Sequence, residues 1–123
     1  MDETVALGSK LRAQSDGHVA FWCPGCDEAH TVRPRPAASP SWEFNGDGDR
    51  PTFAPSILVT GTQRLTDDEY ARVMRGEPVE PRPRVCHSFI TDGSIQFLGD
   101  CTHALVGQTV PLPEYVLSRG SAE

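Results

Sequence analysis

Four cysteines and four histidines carry most of the chemical potential of this 123-residue chain. Cys23-Pro24-Gly25-Cys26 is a compact CxxC knuckle, and Cys86 and Cys101 stand alone. Thiolates in such a pattern bind zinc, which favours four soft ligands in a tetrahedron and offsets their mutual repulsion. The expected ligand set is Cys23, Cys26, Cys86 and Cys101, with His103 or His30 able to replace Cys101. An open, catalytic zinc and a redox CxxC are the alternatives. A thioredoxin-like motif needs a following helix, and Asp27–Val32 is too short for one. No H-x-E or C-x-E element precedes the CxxC, which excludes a cytidine deaminase. The second chemical group is hydrolytic: Ser88 as nucleophile, His103 (or His87 or His30) as base, and Asp100 as the group that orients the base. Structural readings stand beside these. Ser88 also suits a small strand residue, Asp100 a cap, and His18 the surface.

The elements that must hold these residues are strands. Hydrophobic residues make up 37% of the chain, and glycine and proline contribute 11 each, so turns outnumber long helices. His18–Trp22 and Thr31–Arg33 read as a hairpin with the CxxC at its tip. Val85–Thr91 and Ser94–Leu98 flank Asp92-Gly93, a type I′ hairpin signature. With Thr91 facing Ser94, Cys86 faces Gly99. Cys101 then projects to the same face as its diagonal neighbour. Ser88 shares that face, and His87 points to the other.

Trp42–Phe44 and Ser56–Thr60 read as further strands. Asn45–Asp49 resembles part of a calcium loop but lacks the later bidentate glutamate, so it reads as a solvated turn. One helix is expected at 66–75: Thr66 caps it, Glu69 completes a capping box, and Gly76 ends it. Trp22, Trp42, Phe53, Phe89 and Phe97 are the expected core. The fold class is therefore mainly β (small α+β), with zinc-ribbon-like hairpins and one surface helix. Residues 1–17 are expected as a flexible segment with at most a short strand. Residues 18–113 form the single domain, and 114–123 a frayed tail.

The net charge of −6 and pI near 5.1 argue against nucleic acid held by bulk electrostatics. A stacking groove for single strands also needs interleaved basic residues, which the aromatic segments lack. No apolar run approaches a membrane span, and the polar, acidic N-terminus shows no signal peptide. The expected compartment is a reducing cytosol. The sequence leaves the oligomeric state open.

Phe21–Cys26, Trp42, the run PTFAPSI over 51–57, Cys86–Ile90 and Cys101–Leu105 together resemble a family of small phage and bacterial proteins. Its members often carry the label "ammonia monooxygenase", which has no physical support in a chain without spans. Relatives of BubE type occur beside ubiquitin-like, E1-like and E2-like genes. The resemblance covers about 18–112, with the helix in a variable connector. It implies a peptidase or isopeptidase, deubiquitinase-like, acting on a ubiquitin-like protein or its conjugates. The shared elements are the knuckle, a Pro-Ser before a β-branched residue, and Cys-x-Ser. They fall on Cys23, Cys26, Pro55-Ser56, Cys86 and Ser88. Operon-borne relatives place histidine just after the serine; here Phe89 stands there and His87 precedes it. The other expectation is a zinc-ribbon module that binds a protein partner without catalysis.

Overall fold

A computed structural model describes residues 4–36 and 40–115. Among them the chain forms two antiparallel sheets and one helix. The first sheet holds β1 (Thr4–Leu7), β2 (Leu11–Gln14), β3 (Val19–Cys23) and β4 (Glu28–Val32), in that order. The second holds β5 (Glu43–Phe44), β6 (Phe53–Thr62), β7 (Pro83–Thr91), β8 (Ser94–Phe97) and β9 (Thr109–Pro111). Each strand pairs with its sequence neighbour, so both sheets are meanders built from local connections.

The apolar alternation of the strands explains the packing. Val19, Phe21 and Cys23 face inward from the first sheet, and Ile57, Cys86, Ile90, Ile95 and Phe97 from the second. Burying one face of each sheet against the other gives a single core. Phe53 and Phe97 are buried as expected, but Phe89 is not: it is 41% exposed. The reason is parity, because Phe89 shares the outer face of β7 with His87, opposite to Cys86, Ser88 and Ile90.

The N-terminal segment also differs from expectation. Residues 4–14 form the β1–β2 hairpin, and β2 pairs with β3 through Leu11↔Phe21. Leu11 is fully buried and Leu7 packs against the same cluster, so two leucines tie the hairpin to the core. Of the expected tail, Tyr115 packs edge-on against Trp22, with Arg12 over its ring; residues 116–123 lie outside the described residues.

The Asp92-Gly93 turn has positive φ at both residues, and Thr91 faces Ser94 across it. A type I′ turn imposes that register. The Asn45–Asp49 segment is a turn braced by its own side chains. Asn45 Oδ1 accepts from Asp47 N and Thr52 N, and Asp47 Oδ1 accepts from Asp49 N and Arg50 N. Those two backbone donors hold the Asp47 carboxyl below its usual range.

The helix, α1, spans Asp67–Met74 with the full Thr66/Glu69 capping box and no buried residue. Its attachment rests on polar contacts, chiefly Arg82 on Glu69 at 2.8 Å. The cap therefore matters locally. Thr66→Ala is expected to cost about 1 kcal/mol of helix stability, read as faster amide exchange over 67–74. The thiol cluster described below should keep its metal affinity.

Candidate catalytic and metal sites

The β3–β4 turn folds as a knuckle around Cys23. Cys26 N points at Cys23 Sγ at 3.4 Å, and Asp27 N donates to Cys23 O at 2.8 Å. Cys86, in mid-β7, brings its sulfur to 3.8 Å from Cys23 Sγ. His103 sits in the turn after β8, with Nε2 3.5 Å from Cys86 Sγ. The ligand atoms of Cys23, Cys26, Cys86 and His103 all lie within 4.8 Å of one another.

This geometry fits a tetrahedral ion. Zn–S bonds of about 2.3 Å at the tetrahedral angle set two sulfurs about 3.8 Å apart, and a sulfur and a nitrogen about 3.6 Å apart. The electrostatics also suit a cation. The hydrogen bond from Cys86 pulls the Cys23 thiol down to about 4. Burial, then the charge on Cys23, pushes Cys26 up to about 11. Cys86 is pushed up further, chiefly because it is the donor in its hydrogen bond with Cys23. One thiolate thus suppresses the next two, and a divalent ion is what would let all three ionise together.

Gly25 makes the site possible. A Cβ placed there would overlap the His103 imidazole. Gly25→Ala is expected to push His103 out of the cluster and weaken metal binding by about 10–100-fold, the range seen when metal ligands lose their positioning. Competition with a chromogenic chelator would measure it.

Cys101 stands elsewhere. Its thiol donates to His87 O at 3.2 Å, and His87 N approaches Cys101 Sγ at 3.3 Å. It clasps the backbone of His87, and His103 occupies the place expected of it in the cluster. The parity argument assumes a strand running past Leu98, but β8 ends at Phe97 and the chain leaves the sheet there. His30 is buried edge-on to Phe21, with Nδ1 3.7 Å from Glu28. With Cys26 and Glu28 it forms a second close group of potential ligands.

The outer face of the second sheet holds a different group. Leu58 on β6 faces His87 on β7, and Ser56 stands two residues before Leu58, where the β6–β7 pairing becomes irregular. Ser56 Oγ lies 3.0 Å from His87 Nε2. His87 Nδ1 lies 3.1 Å from Asp100 Oδ2. A carboxylate can only accept, so Nδ1 carries the proton, and Nε2 is left to take the Ser56 hydroxyl proton. Ser56 is fixed in turn through its carbonyl, which accepts from Trp42 Nε1 at 3.2 Å. This hydroxyl–imidazole–carboxylate line is the arrangement of a serine nucleophile, a general base and its orienting acid. It lies on an open face. A cleft of about 350 Å³ opens beside Cys26, His103 and Arg84, away from Ser56.

The expected nucleophile, Ser88, is 2% exposed on the core side of β7. Its expected base, His103, packs its ring against Phe97 and its Nε2 against Cys86. His87 and Asp100 do come together, but around Ser56. The signal for Ser56 in the sequence is the Pro55-Ser56 element preceding an alternating strand.

The family of bacterial ubiquitination-like system serine proteases, BubE, matches residues 2–98. The chain belongs to the BubE family. Its matched stretch holds Ser56, His87 and three of the clustered ligands, while Asp100 and His103 follow it. No curated protein and no solved structure matches the chain. No helix among the described residues is long and apolar enough to cross a membrane.

Proposed function

We propose that this BubE-family chain is a serine hydrolase that cleaves peptide or isopeptide bonds at the tail of a ubiquitin-like protein. The observation that carries the reading is the Ser56–His87–Asp100 line, with links of 3.0 and 3.1 Å. Ser56 Oγ attacks the scissile carbonyl as His87 Nε2 takes its proton. Asp100 stabilises the imidazolium that results. His87 then passes the proton to the departing amine, and a water repeats the sequence to release the acyl group.

The role of the thiol cluster in this reading is structural. Cys23, Cys26, Cys86 and His103 would hold zinc, and four protein ligands leave no open position for substrate. The ion would supply rigidity: Cys86 adjoins His87, and His103 follows Asp100 by three residues. The reduced thiols suit action in the cytosol.

A fluorophosphonate probe tests the assignment directly. The intact metal-loaded chain should be labelled on the peptide carrying Ser56. Labelling of Ser88, or none at all, would remove the reading.

A further inference from the structure

On the outer face of β6 and β7, Leu58 lies opposite His87 and Phe89 follows His87 by two, so both stand beside the Ser56–His87 pair. Leu58 is 56% exposed and Phe89 41%. A single exposed apolar side chain needs no explanation. Two that stand beside a candidate nucleophile, on a face that also carries Thr60, Val85, Thr91 and Gln96, have a position that matters.

The edge of β6 adds a second feature. β5 pairs only with Phe53 and Ala54. Among the described residues, no strand lies along the outer side of β6 from Ser56 to Thr62. Such an edge offers free backbone donors and acceptors to an extended chain, and side-chain contacts then set specificity. At Ser56 the edge is already taken by Trp42 Nε1 on the Ser56 carbonyl, so the open stretch is 58–62, and a chain docked along it is led towards the Ser56 hydroxyl.

We infer that the substrate binds as an extended strand on the free edge of β6 and that Leu58 and Phe89 select apolar residues beside the scissile bond. This inference rests on the Ser56 reading. The occupant is a flexible peptide tail, since the segment that carries the scissile bond must reach the Ser56 hydroxyl.

The test uses the metal-loaded full chain and coumarin amides of extended tetrapeptides that differ only in having leucine or aspartate at the two positions before the bond. The leucine peptides should be cleaved with a kcat/KM at least about tenfold higher, the discrimination expected of one apolar contact. Leu58→Ser and Phe89→Ser should each lower that preference by about tenfold. Both should still be labelled on Ser56 by a small fluorophosphonate, which reports that the nucleophile is intact. Unchanged preference in both variants would overturn the inference while leaving Ser56 in place. Equal cleavage by Ser56→Ala would instead overturn the underlying reading. Sedimentation supplies a last check: a dimer broken by Leu58→Asp would show that a second copy covers the edge, and would also overturn the inference.

Discussion

Ser56→Ala is expected to reduce cleavage of a C-terminally extended ubiquitin-like protein by at least about 10⁴-fold, with unchanged melting temperature and metal content. The size of the effect follows from the division of labour. Without the hydroxyl there is no covalent route, and only substrate binding and positioning remain to accelerate hydrolysis. Ser56 is part-buried and its side-chain partner is the His87 imidazole, so alanine leaves no hole in the core. Asp100→Asn should also cost several orders of magnitude, because an amide no longer enforces the Nδ1–H tautomer. Ser88→Ala makes the contrast. Ser88 is buried among core residues, and its loss should be read in stability, by about 1 kcal/mol, with kcat little changed. Full activity in Ser56→Ala together with a dead, folded Ser88→Ala would return the nucleophile to Ser88.

The difference between those serines shows what local sequence can and cannot specify. The β7–β8 register follows from a two-residue turn, so Asp92-Gly93 suffices to face Thr91 with Ser94. The α1 boundaries follow from Thr66, Glu69 and Gly76, all within one short segment. The CxxC knuckle is equally local. Ser56 meets His87 through the β6–β7 pairing, and α1 and a proline-rich connector separate those strands. No turn sets that register, and a β-bulge between Phe53 and Ile57 shifts it further. The exchange of Cys101 for His103 has a related cause. Two-residue alternation decides a side chain's face only while the strand lasts, and β8 ends before either residue. His103 reaches the cluster because the loop turns back over Gly25, a contact visible only in three dimensions.

Removing the metal should be the most damaging single treatment. The proposed ligands join both sheets: Cys23 and Cys26 come from the β3–β4 turn, Cys86 from β7 and His103 from the loop after β8. Structural zinc sites in small domains contribute apparent binding free energies of about 10–16 kcal/mol. A whole domain is stable by only about 5–15 kcal/mol, so the ion's share rivals the total even after discounting for the preformed core. Each kcal/mol moves the melting temperature of a chain this size by roughly 3–6 °C. Chelation, or Cys23→Ser, is therefore expected to lower it by at least about 15 °C and to abolish fluorophosphonate labelling, with one divalent ion released per chain. Zinc should restore both. Cys101→Ala should keep the ion, because that thiol hydrogen-bonds to the His87 backbone. Cadmium then separates a scaffold from a reagent. A closed four-ligand site that only holds His87 and Asp100 in line should turn over substrate at nearly the same kcat with cadmium as with zinc. A kcat that changes severalfold with the identity of the ion would place the metal in the chemistry and remove Ser56 from its role as sole activating centre.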